Sequence, residues 1–155
     1  MGTLSLRDSS AIGIKVVRPA ADLFDGTTTS IFTVSGGNIR LTGLLIEVSA
    51  GALDATANNV KITSNPPTGT SFDLCAVLDV ASNEEGSLYG ITGTFTDALI
   101  TGLAGGTVDI LLPLTIPPGT IDLASSGDSN NGNSALQEVT IFYKPIGDGA
   151  TVVAA

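Results

Sequence analysis

The sequence predicts an all-β fold, an antiparallel β-sandwich, jelly-roll-like, with roughly eight to ten short strands. Three observations predict it. Apolar residues recur with a period of two in short runs such as Phe72, Leu74, Ala76, Leu78 and Val80, and nowhere hold a helical period over about ten residues. Turn residues punctuate those runs, with 19 glycines and 7 prolines that include the clusters at 66–69, 117–119 and 147–149. Charged residues make up only 14% of the chain, against about 25% in an ordinary soluble domain, while hydrophobic residues make up 43%. At 155 residues one core suffices, burying roughly 70% of the surface of the unfolded chain.

Residues 1–10 read as an N-terminal arm, 11–150 as a single sandwich domain and 151–155 as an apolar C-terminal tail. Ile12, Ile14 and Val16 alternate into Pro19, which suits an edge strand because proline cannot donate to a ladder. Residues 22–29 read as a turn. Val60 and Ile62 mark a half-exposed strand, and Phe72 to Val80 gives the cleanest alternation in the chain. Further strands are expected at Tyr89, Ile91 and Phe95, at Val108, Ile110 and Leu112, at Ile121 to Leu123, and at Val139, Ile141 and Tyr143. Residues 125–134, SSGDSNNGNS, are the most polar stretch and read as an exposed loop tip.

Residues 30–49 carry the strongest local pattern and read as a hairpin. With Gly36 and Gly37 as a two-residue turn, Val34 faces Ile39 and Phe32 faces Leu41, so one face is wholly apolar. After Leu41 the apolar positions change parity, to Leu44, Ile46 and Val48. One extra residue near Gly43, a β-bulge, would keep both halves on one core.

The composition excludes several chemistries. There is no histidine, which removes Ser-His-Asp, Cys-His and zinc-hydrolase sites in their usual forms. Cys75 is the only cysteine, so no internal disulfide forms, and its apolar strand marks it as a small core residue. Asp73 and Asp79 would lie about 20 Å apart on one strand, too far for a glycosidase pair. Glu84 and Glu85 sit in a charged loop. Asp128, Asn130, Asn131 and Asn133 offer oxygen donors that calcium tolerates, but the EF-hand order is not met and an exposed turn accounts for them. No cofactor is expected. The net charge of -9, with six scattered basic residues, argues against a nucleic-acid partner. Asp109, Pro113 and repeated glycines interrupt the most apolar window, so no membrane span is expected, and residues 1–15 lack the pattern of a signal peptide. So few charges over so much apolar chain predict surface buried against other subunits.

TVSGGNIRLTGLLIEV near the start and FYKPIGDGATVVAA at the end resemble small structural proteins of tailed bacteriophages, in which a T-V-x-G-G segment enters an apolar strand and the chain ends in Y-x-P-(L/I)-x-x-G-A-x-V-x-A-A. TSFDLCAVLDV and PPGTIDL are also similar to theirs, whereas Glu47 departs from the pattern where a small residue is expected. The resemblance implies a virion protein without enzymatic activity, a capsid decoration or cement protein on the exterior of the head. Its partner would be the major capsid protein, and it would assemble as a trimer or dimer. The apolar tail, with Val152 and Val153, would then supply assembly contacts. A tail-tip or receptor-binding module using the 125–134 loop, and a carbohydrate-binding sandwich, are the alternatives.

Overall fold

The computed structural model describes residues 12–102 and 112–155. The expected arm and the strand positions Val108 and Ile110 lie outside these residues. Within them the chain forms twelve strands: β1 Ile14–Ala21, β2 Thr28–Ser35, β3 Ile39–Ala50, β4 Asn59–Asn65, β5 Phe72–Asp73, β6 Leu78–Asp79, β7 Leu88–Gly90, β8 Ile100–Thr101, β9 Leu114–Ile116, β10 Gly119–Ser125, β11 Leu136–Pro145 and β12 Thr151–Ala154. One sheet runs β1-β11-β3-β7-β8 with β9 also on β3, and the other runs β12-β2-β10-β4-β5 with β6 also on β4. Every strand pair is antiparallel. The order β1-β11-β3-β7 against β2-β10-β4-β5 is the two-sheet order of a jelly roll, and the all-β sandwich expected from the sequence is the fold observed. The strand count is higher than expected because several strands are only two or three residues long.

The core lies between the sheets. Ile39, Leu41, Leu44, Ile46 and Val48 of β3 are all buried even though their parity changes midway. The change is absorbed where Tyr143 pairs with Leu41 and Phe142 with Gly43, leaving Thr42 as the extra residue of a bulge at the position the parity change marks. Gly43 belongs there because a Cβ on it would sit 2.9 Å from the ring of Phe142. A second bulge occurs between Ile121 and Asp122 of β10, opposite Ile31 of β2, so that Ile31 and its neighbour Phe32 are both buried. Phe24 and Tyr89 meet edge to face in the core, with ring centroids 5.9 Å apart.

The hairpin expected at Gly36-Gly37 is not a hairpin. β2 and β3 belong to different sheets. Phe32 pairs with Ile121 and Ala154, and Val34 with Gly119 and Val152; Ile39 pairs with Pro145 and Ile116, and Leu41 with Tyr143 and Leu114. Phe32, Val34, Ile39 and Leu41 are nevertheless all buried, because they reach the same interior from opposite sides. Periodicity identifies the face that turns inward and leaves the neighbouring strand undetermined. At Gly36 and Gly37 φ is 77° and 153°; the second value belongs to a region that in practice only glycine enters, and it carries the chain across to the other sheet.

The strand expected over Phe72 to Val80 is also broken. β5 and β6 both pair with β4, but between Asp73 and Leu78 the chain leaves it, and the Ala76 amide donates instead to the Asp97 carbonyl at 2.7 Å. Leu74 and Cys75 are adjacent and both buried, while Val77 is half exposed. Phe95, expected on a strand after Tyr89, lies in a turn and packs edge to face on Phe72 at 5.7 Å.

Candidate functional site

The residues singled out in the sequence fall into three places. The first is one end of the sandwich, where the two segments bearing the bacteriophage resemblance come together. The crossover at 36–37 lies directly against a second crossover, at 146–150, which takes the chain from β11 in one sheet to β12 in the other. A Cβ on Gly36 would stand 2.1 Å from the Gly149 carbonyl oxygen, and one on Gly147 would stand 3.1 Å from the Gly37 Cα. The amides of Ile146 and Gly147 both donate to the Asn38 carbonyl, at 2.9 and 3.1 Å. Only glycine lets two backbones approach so closely.

The C-terminal segment completes this end. Instead of a free tail it is the edge strand β12, paired in register with β2 from Thr151↔Ser35 to Ala154↔Phe32. Val152 is buried in its own domain, and its amide donates to the Tyr143 hydroxyl at 3.3 Å. Of the two valines expected to make assembly contacts, only Val153, 56% exposed, is on the surface. The expectation failed at Val152 because a short apolar segment satisfies its backbone most readily on the nearest open sheet edge.

The second place is the polar loop at 125–134. Its expected exposure is wrong at its centre, since Ser129 and Asn130 are fully buried, whereas Asp128, Asn131, Gly132 and Asn133 are exposed. The loop is tied down by a knot of buried amides. Gln137 Oε1 accepts from the amides of Leu23 and Phe24 at 2.8 and 3.1 Å, and its Nε2 donates to Asn130 Oδ1 at 2.8 Å. Asn130 Nδ2 donates to Asp22 Oδ1. Asn58 Nδ2 donates to the Phe24 carbonyl and to Ser129 Oγ, both at 3.0 Å, and Asn58 Oδ1 accepts from the amides of Ser126 and Gly127, both at 3.1 Å. Buried amides satisfied at both ends fix one loop conformation.

The knot bears on the calcium reading. Both polar atoms of the Asn130 side chain are taken by protein groups, and Asp128 Oδ1 accepts the Asn130 amide at 3.1 Å. Asn131 and Asn133 serve as left-handed turn residues, with φ of 50° and 67°. Among the described residues no group of three or more acidic or thiol side chains is arranged to hold a metal ion. Burial and the nearby charges of Asp25 and Asp128 raise the Asp22 carboxyl above its usual pKa, against the opposing pull of the Asn130 hydrogen bond. The sequence did carry a signal for the knot. Gln137 has the same parity as Val139, Ile141 and Tyr143 and therefore faces the core, where a polar residue requires partners.

The third place holds the remaining chemical candidates. Cys75 is buried, and its Sγ accepts the Ile62 amide at 3.4 Å where the break between β5 and β6 leaves that donor without a carbonyl. Burial pushes the thiol up to about 11, the opposite of what a nucleophile needs. Asp73 pairs with Lys61 at 2.8 Å, and Asp79 Oδ1 accepts from the amides of Asn58 and Ala81; both carboxyls are held below their usual range by these bonds. A cleft of about 440 Å³ is lined by Ala81, Ser82, Asn83 and Glu84. Among the described residues that line it Glu84 is the one carboxylate, and the neighbouring Glu85 accepts the Gly51 amide at 3.0 Å. The described lining therefore does not supply the two opposed acids of glycoside hydrolysis. Comparisons with family models, with curated proteins and with solved structures found no match to this chain.

Proposed function

We propose that this protein is a non-enzymatic virion structural protein, a capsid decoration or cement protein that binds the exterior of a bacteriophage head and bridges capsid subunits. The observation that supports this reading is the paired crossover. The two segments on which the resemblance rests, far apart in sequence, interlock through Gly36, Gly37, Gly147 and Gly149 and share the β2-β12 ladder. Residues that make one architectural unit are what a structural family would hold in common. In this reading the sandwich acts by binding alone. A rigid module spans neighbouring capsid subunits and adds contacts that internal pressure must break, with the major capsid protein as its partner.

The test is binding to purified undecorated heads. Saturation at a fixed number of copies per capsomer, with a rise in the temperature at which heads rupture, is the expected outcome. Binding only to host cells would move the protein to the tail tip, and binding only to glycans would make it a carbohydrate-binding module.

A further inference from the structure

The outer face of the β1-β11-β3-β7 sheet is neither uniformly polar nor uniformly charged. Pairing registers place its outward residues in four rows across the strands. Glu138, Glu47 and Leu88 form the first, and Val17, Thr140, Leu45 and Gly90 the second; Lys15, Phe142 and Gly43 form the third, and Lys144 and Arg40 the fourth. Val17, Leu45, Leu88 and Phe142 are partly exposed there, pointing away from the core. Three of the six basic residues of the chain thus gather at one end of a face whose other end carries two directly opposed glutamates. Like charges opposed across a ladder are destabilising in an isolated sheet. Lys61–Asp73 is the one ion pair among the described residues, so none of these five charges is neutralised by another described residue.

The spacing of the charges is symmetric. On β11, Glu138 and Lys144 each lie three residues from Ile141. On β3, Glu47 lies three residues from Leu44 and Arg40 four, and the bulge at Thr42 absorbs the extra residue, so Arg40 stays opposite Lys144. We infer that this face binds a second copy of the chain. The two-fold axis lies in the interface and crosses the strands at the level of Ile141 and Leu44. Each copy's Glu138 then meets the other's Lys144, each copy's Glu47 meets the other's Arg40, and the middle rows close between them, Phe142 against Thr140 and Leu45 against Gly43, with Lys15 at the β1 edge beside Val17. An axis along the strands would instead set glutamate on glutamate. A self-complementary patch of this kind is what an isologous dimer requires. The rows span about 20 Å along the strands, a small face, which fits association in the micromolar range. The inference stands independently of the virion reading.

Sedimentation equilibrium over tens to hundreds of micromolar tests it, with circular dichroism to confirm folding. The wild-type chain should dimerise, and more weakly as salt rises. E47K/E138K and R40E/K144E should each associate about tenfold or more weakly, and an equimolar mixture of the two should recover association. Leu45→Ser should weaken the dimer without altering its salt dependence. A chain that stays monomeric throughout, or an oligomer that both double variants leave intact, overturns the inference. So does loss of head binding by both double variants of a monomeric chain, which would assign the face to the capsid. Head binding by a monomeric wild-type chain would leave the proposed function standing alone.

Discussion

At Gly36 two backbones meet with no room for a side chain. Replacing it with alanine adds a Cβ within 2.1 Å of the Gly149 carbonyl oxygen at a φ of 77°, so the backbone must move as well as strain. The expected loss of stability is about 2–3 kcal/mol, read from urea denaturation. A loss no larger than that of Gly69→Ala, where a Cβ meets nothing within 4 Å, would show that the crossovers are not interlocked. Cys75 makes the opposite kind of claim, that a reactive group has been silenced. Its thiol should resist a disulfide reagent at pH 8 in the folded protein and react fully in denaturant; rapid labelling of the native chain would contradict its burial. Asp22 links the knot to pH. Its carboxyl is raised from 3.8 in the folded state, first by burial and then by Asp25 and Asp128, against the Asn130 hydrogen bond. A raised folded pKa gives a contribution to stability that is full below the unfolded pKa and is lost as pH rises through the folded value. Asp22→Asn keeps an acceptor for Asn130 and removes the titration. Its stability relative to wild type should therefore be better at pH 7 than at pH 3, and equal values at the two pHs would dismiss the carboxyl as a contributor.

At the scale of elements, the edge strand β12 separates two explanations of an apolar C-terminal segment. Deleting residues 152–155 strips the ladder from β2 and uncovers the interior at Val152, for an expected cost of about 2 kcal/mol or more. Val153→Ser touches only the exposed position. If Val153 serves assembly, that substitution should weaken self-association or head binding while the unfolding midpoint holds, whereas the deletion should lower the midpoint itself. An unchanged midpoint in the deletion would mean that β12 is dispensable to the sandwich. The elements also show where periodicity is a sufficient guide. β3 and β11 were legible because one face of each is apolar over three or more alternate positions, and β1 and β4 because two alternating apolar residues in each are set off by polar neighbours or proline. The break between β5 and β6 was not, because Leu74, Cys75 and Val77 are apolar whichever way they point. The bulge at Thr42 could be read from a change of parity sustained over several residues, whereas the one at Ile31 shows only as two adjacent apolar residues, Ile31 and Phe32, among serines and threonines.

For the whole molecule, composition and turn spacing were enough to indicate a sandwich, since antiparallel strands separated by turns leave that record in any order. Neighbour relations were not recorded in the same way. The 36–37 crossover and a true hairpin present the same alternating pattern, and only the partners brought by β10, β11 and β12 distinguish them. The buried amide knot was hidden for a related reason. Asn130 looks solvated by type, and its burial follows from Gln137 and Asp22, which bond its side chain, and from Asn58, which bonds the neighbouring Ser129; Asp22 and Asn58 come from distant parts of the chain. Those distant partners also govern how the chain can be made and cut. The bond from the Leu23 amide to Gln137 spans 114 residues, and β1, β2 and β3 all take partners from β10, β11 or β12. A nascent chain therefore carries β1 and β2 unpaired, and β3 without its longest neighbour β11, until its last third has been synthesised. An N-terminal fragment that stops short of β10 lacks every neighbour of β1 and β2, so apolar faces stay open during synthesis for longer than the size of the chain suggests.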